Sequence, residues 1–466
     1  MKIRYLFTCI ILFMTGNTLF GQQTPQINIK YSKLLATYDF VQKLSDYYPD
    51  NKSKEIFKAS KYNIPKYTDL LIQFDTLRIV ESYHFQGYPS GQKSPVSTTA
   101  LMERNLINAS SIEEFRSLSF GIVPNTELFA FSAILEQFEP VYESLIYLPN
   151  NEKFENKLMS LDDYVQSVHL ADYFETGLKF YNAQWDYAVS IDIAIIPSIS
   201  DGGFTANAFL NNAVSEVPIN FVHNDVLFCV LMHEIFHNVY DWQSLEVKNN
   251  IESWFHANPS PNSQYAYLLL NEALATAMGN GYIYEGLNGK LDKDSWYNNK
   301  YINQMAQAIY PMVKAYANTK KPIDKHFIDQ YIKTYDENFS GWAKELDHIL
   351  TYRYILTDNE NDFSYFRKHF RYANHSAYGT PIDQNSLDKM RQRPITKIVI
   401  VSQENEEKLN WVKNTFPELK NWTYNAKKEF IQTTDLADKT KLIIVNCIHS
   451  SFQDLFEETF KNKQIK

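Results

Sequence analysis

The chain of 466 residues is 44% hydrophobic and 15% aromatic, with 32 Tyr and 31 Phe; this excludes a disordered or fibrous protein and leaves room for two or three domains with sizeable cores. A formal net charge of −9 argues against nucleic-acid binding through phosphate neutralisation. Cys9 lies near the N-terminus, while Cys229 and Cys447 stand in separate apolar runs, so neither a disulfide framework nor a cluster of thiolate ligands is expected.

The chain opens with Lys2 and Arg4, an apolar run from Tyr5 to Met14, and a small, polar stretch ending at Gly21. That is the pattern of a secretory signal peptide over residues 1–21. Its apolar run is short for a bilayer span, and an uncleaved anchor is the alternative. Cleavage would remove Lys2 and Arg4, take the charge from −9 to −11, and place the mature protein in a secreted or periplasmic, cell-envelope location. No later segment is apolar for long enough to cross a membrane, so no stable span is expected after cleavage.

Residues 26–185 read as a helical N-terminal region. Apolar side chains recur at helical spacing over Lys33 to Tyr48, Glu127 to Tyr147 and Leu161 to Phe180. Tyr83 to Ser97, with Gly87, Pro89, Gly91 and Pro95, reads as a loop. His84 and His169 stand alone and are read as structural. From Tyr187 the character changes. Val189, Ile191, Ile193 and Ile195 alternate with Ser190, Asp192 and Ala194, the period of a half-buried strand ended by Pro197. A second extended candidate runs from Gly203 to Ile219, and such a sheet edge could hold an extended peptide by strand addition.

Asn224 to Tyr240 is apolar nearly all round through Val226, Leu227, Val230, Leu231 and Phe236. This predicts a buried helix with Asn224 or Asp225 as its cap. Within it stands His233-Glu234-Ile235-Phe236-His237. Residues four apart share a helix face, so both imidazoles can address one ion while Glu234 projects beside them. A catalytic zinc takes three protein ligands and keeps a further position for water. A third His six residues after His237 would mark the metzincin pattern, but Gln243 occupies that position. The third-ligand candidate is Glu272, 35 residues beyond His237, on a second apolar helix from Gln264 to Tyr284. An unpaired carboxylate has little reason to sit there. Glu246 and Glu252, on a continuation of the first helix, are the alternatives.

Beyond this, residues 292–357 read as further helices. Thr396 to Ser402 and Lys441 to Cys447 read as short strands, each followed by an amphipathic segment, Glu404 to Phe416 and Phe452 to Phe460. Strand, helix, strand, helix over residues 394–466 predicts a small α/β module. Neither strand is followed by a Gly-rich phosphate loop, so no nucleotide site is expected there.

His233-Glu234-x-x-His237, Asp241 four residues later, and Asn271-Glu272-Ala273 together resemble the gluzincin metallopeptidases, the group that includes thermolysin-like enzymes. Asn207-Ala208-Phe209 is similar to the edge-strand triplet whose backbone holds substrate in that group. The resemblance covers residues 187 to 285. It implies an α+β, mostly helical fold with a zincin-like catalytic core over residues 186–393, between the helical N-terminal region and the C-terminal module. It also implies Zn²⁺ held by His233, His237 and Glu272, Glu234 as general base, and a peptide or protein substrate. The oxyanion donor in such enzymes is a downstream Tyr or His; His375 and Tyr378, in a loop-like segment from Ala373 to Pro381, are the candidates, with Tyr282 beside them. The chain departs from the pattern at Thr276, where thermolysin-like enzymes place an Asp that orients a ligand His; Asp241 is the substitute considered. Two other readings fit these residues: a non-catalytic envelope binding protein on a zincin scaffold, and a zinc hydrolase of non-peptide amides or esters.

Overall fold

The computed structural model describes residues 25–89 and 96–465; the signal-peptide reading over residues 1–21 and the loop residues Gly91 and Pro95 lie outside them. The architecture is mixed α and β and mostly helical, with sheets of four, five and two strands among the described residues. No helix of the described residues is long and apolar enough to cross a membrane. Cys229 and Cys447 are both buried and free.

In the N-terminal region, helix Lys33–Leu44 starts at Ser32, whose hydroxyl accepts from the backbone N–H of Leu35. It packs against helix Asn125–Tyr142 to form a core that includes Phe40, Val41, Phe131 and Phe138. The continuous pattern from Leu161 to Phe180 resolves into two helices, Asn151–Ser167 and Leu170–Tyr181. His169 separates them at φ 51, a left-handed conformation that ends a right-handed helix.

The four-stranded sheet runs Ile27–Lys30, Ile191–Ser198, Asn212–Pro218, Asn207–Phe209; the first three strands are parallel and the last closes the edge antiparallel. Ile191–Ser198 is not half-buried as its alternation predicts: every residue in it is buried. Ile191, Ile193 and Ile195 face the central core, while Ala194 and Ile196 face the N-terminal helices. A parallel strand covered on both faces needs no polar side. Pro197 lies within this strand rather than ending it. The first strand reaches only Ala194, so one side of the ladder is open where the missing proline N–H falls.

The histidine helix, Asn224–Asp241, packs against the edge strand and its neighbour. Its first helical residue is Asn224, and the preceding His223 makes no side-chain cap. It stops at Asp241, and a new helix, Leu245–Ala257, starts at Ser244, whose hydroxyl accepts from Val247. Glu246 and Glu252 are therefore not on a continuation of the histidine helix. The glutamate helix, Ser263–Thr276, runs on into a π-helical turn, Ala277–Ile283, and packs against both the histidine helix and helix Lys300–Asn318.

The C-terminal sheet begins earlier than the module read from residue 394. Its order is Phe430–Asp435, Lys441–Asn446, Thr396–Val401, Tyr352–Thr357, His375–Gly379, parallel except for the first. Tyr352–Thr357, read as the end of a helical region, and His375–Gly379, read as a loop, are both strands. Runs this short carry no periodicity that separates strand from helix. The sheet is tied to the glutamate helix: Gln264 donates to the carbonyl of Pro394 at 2.9 Å, and the hydroxyls of Tyr265 and Thr396 are 3.0 Å apart.

Candidate metal centre

The histidine helix places His233 and His237 one turn apart on the face turned toward the glutamate helix. Their Nε2 atoms are 3.1 Å apart, and Glu272 Oε2 lies 3.8 Å from the first and 3.6 Å from the second. Such a triangle has a point about 2.0 Å from all three corners, which is the length of zinc–imidazole and zinc–carboxylate bonds, about 2.0–2.2 Å. Two neutral Nε2 lone pairs at that separation repel unless a proton or a cation lies between them. Glu272 Oε2 is buried and has no hydrogen-bond partner, although a buried carboxylate oxygen normally has one. These observations fit a metal ion, and the three residues form the group of His, Cys, Asp and Glu that could hold one among the described residues.

The close approach rests on Gly279 in the π-helical turn. A Cβ there would lie 2.8 Å from both the carbonyl oxygen of Cys229 and the Cβ of His233, so the glutamate helix and its continuation can meet the histidine helix only where a side chain is missing. π-helical turns recur at functional sites because they re-aim the residues beside them.

Orientation of His237 follows a route the sequence did not show. Asn271 Oδ1 lies 3.1 Å from His237 Nδ1; an acceptor on Nδ1–H leaves Nε2 as the lone-pair nitrogen. Asn271 precedes Glu272, so one turn of one helix supplies both a ligand and the orienting group. Asp241 lines the neighbouring cleft. Thr276, at the family's Asp position, is buried with its hydroxyl unpaired. Asn374 donates to Glu272 Oε1 at 3.4 Å and to the Tyr352 hydroxyl at 3.0 Å, so the C-terminal sheet also reaches the site.

Burial pushes His233 down to about 3, and His237 acts in the same direction. Burial opposes the charge on His237 too, but the carboxylate of Glu272, followed by that of Glu234, raises it. Burial likewise opposes the ionisation of Glu272, yet His237 holds it well below the usual carboxylate range. Burial raises Glu234, whose carboxylate stands 4.0 Å from His233 Nε2. A carboxyl moved towards neutrality beside such a group suits proton transfer.

The other sequence candidates are engaged elsewhere. The Tyr378 hydroxyl accepts from Arg353 at 3.3 Å, and Arg367 stacks over its ring at 5.1 Å. His375 is lowered by burial and by Arg393. Tyr282 donates to Asn318 at 3.1 Å. Of the tyrosines near the group, Tyr297 is stacked on His233 with ring centroids 5.6 Å apart. Burial, followed by the nearby Glu272 carboxylate, raises it to about 12. One Tyr among 32, in a loop between helices, carried no sequence signal that could have singled it out.

The edge strand, Asn207–Phe209, is paired on one side only among the described residues, and Asn238 of the histidine helix donates to the carbonyl of Leu210 at its end, at 3.2 Å. Between this strand, the C-terminal part of the histidine helix and helix Thr98–Asn108 lies a cavity of about 320 Å³ with His237 in its wall. No family model, no curated protein and no solved structure matches the chain.

Proposed function

We propose that the chain is an exported zinc-dependent metallopeptidase of gluzincin type with a zincin-like core. The observation that carries this reading is the convergence of His233 Nε2, His237 Nε2 and Glu272 Oε2 around one point at metal-bond length, with Glu234 beside them and an open sheet edge alongside. A zinc ion held by these three residues would polarise a scissile carbonyl and acidify a water. Glu234 would take that water's proton and pass it to the leaving amine. The unpaired edge of Asn207–Phe209 would hold the substrate backbone by strand addition, which favours a peptide over a small amide or ester. Tyr297, beside Glu272 and His233, would turn its hydroxyl to the developing oxyanion.

Two substitutions test the reading. Glu272→Ala should abolish stoichiometric zinc, measured by metal analysis after dialysis. Glu234→Gln should keep zinc and lose cleavage of casein-like peptides. Unchanged zinc in the first variant would sink the ligand assignment; a zinc-bound wild-type protein that cuts no peptide would favour the binding-protein reading.

A further inference from the structure

The cavity beside the candidate metal centre has a chemistry of its own. Glu103 and Asp241 line it together with His237, no Lys or Arg does among the described residues, and Ala100, Ala208 and Trp242 give it apolar walls. Its volume of about 320 Å³ lies within the roughly 300–1,000 Å³ of small-molecule sites. Glu103 comes from the N-terminal region, on helix Thr98–Asn108, and has neither a hydrogen bond nor an ion pair among the described residues. Its charged neighbour is another acid, Asp39, which is itself paired to Lys43 at 2.8 Å. A half-buried carboxylate with no counter-charge among the described residues is poorly compensated, and this one faces the groove where a strand-added peptide would lie.

We propose that this cavity is a substrate subsite that takes a cationic group of the peptide, with Glu103 as the residue that selects it. The inference rests on the peptidase reading and adds to it a substrate class. An alkyl stem would lie along Ala100, Ala208 and Trp242 while its charged head meets Glu103. The cation could be a Lys or Arg side chain or an N-terminal ammonium, and these have the same recognition chemistry. The N-terminal helical region would then form a wall of the cleft.

The test uses the zinc-loaded full chain carrying Glu234→Gln, so that binding is read without turnover. Its affinity is measured for an N-acetylated peptide with one central Lys, for the same peptide with norleucine in that place, and for the norleucine peptide with a free N-terminus. Tighter binding of either cationic peptide than of the acetylated norleucine peptide, by about tenfold or about 1.4 kcal/mol, supports the subsite and says which cation it takes. Adding Glu103→Gln should erase that difference, and Glu103→Lys should reverse it in favour of a Glu-containing peptide. Equal affinity for all three peptides, or a preference that survives Glu103→Gln, overturns the proposal. Cleavage by the unsubstituted protein separates the two readings. Peptides cut with no cation preference leave the peptidase and sink the subsite, whereas Glu103-dependent binding without cleavage leaves the subsite and sinks the peptidase.

Discussion

Gly279 lies flat against His233: a side chain on the glycine would stand 2.8 Å from the histidine's Cβ and 3.0 Å from its Cα. The backbone of one helix therefore sets the position of a ligand on another. Gly279→Ala must part the two segments, because the atoms in the way are backbone and Cβ and cannot swing aside. The expected loss is about 1–3 kcal/mol of folding stability, accompanied by weaker zinc retention as Glu272 draws back. Urea denaturation and metal analysis measure both; a variant with unchanged midpoint and unchanged zinc would show that the contact constrains nothing.

Asn271 predicts a more selective effect. Its Oδ1 atom stands 3.1 Å from His237 Nδ1, and its side chain is only partly buried, so Asn271→Ala should leave the fold intact. Loss of such an outer partner lowers metal affinity by about 10–100-fold. Chelator competition should show that drop, with Asn271→Asp restoring affinity because a carboxylate accepts the same proton. If Asn271→Ala binds zinc as tightly as the parent, the tautomer of His237 is set by something else.

Glu103 gives a pH signature that does not depend on any metal. Burial, aided by Asp39, raises its pKa from 4.5 to about 7. The folded state thus holds its proton more tightly than the unfolded chain does. The associated stability is fully present below about pH 4.5 and is lost as pH rises through 7, on the order of 3 kcal/mol. Glu103→Gln cannot lose that proton. Compared with the parent, the variant should gain relative stability between pH 5 and pH 8, read by urea denaturation at both. A stability difference between the two proteins that is constant across that window would mean Glu103 is solvated and ordinary.

What the sequence revealed and what it hid divide along physical lines. His233 and His237 were legible because helix periodicity alone puts residues four apart on one face. Glu272 was legible because a carboxylate on an otherwise apolar helix needs a reason. The strand Ile191–Ser198 was found, but its burial was misread, since alternation in sequence cannot show that helices cover both faces. Tyr352–Thr357 and His375–Gly379 were missed as strands because five or six residues carry too little pattern, and with them went the reach of Asn374 to Glu272. Gly279 and Tyr297 matter only through contacts made across the fold. No local pattern encodes those contacts.

Tyr297 and Tyr378 make opposite predictions about the oxyanion donor. Tyr378 is held by Arg353 and Arg367 on the C-terminal sheet, whereas Tyr297 stacks on His233 and lies beside Glu272. If the proposed chemistry is right, Tyr297→Phe keeps the ring on His233 and removes only the hydroxyl. Zinc content and peptide affinity should therefore stay near the parent values while kcat falls by about 100-fold, as for loss of one oxyanion donor. Tyr378→Phe should leave kcat within about twofold, because its hydroxyl serves an arginine rather than a reacting atom. Steady-state kinetics on one peptide, with metal content checked in each variant, decides between them. A large kcat loss in Tyr378→Phe with none in Tyr297→Phe would place the donor on the C-terminal sheet and require that sheet to close further over the site than its present contacts bring it.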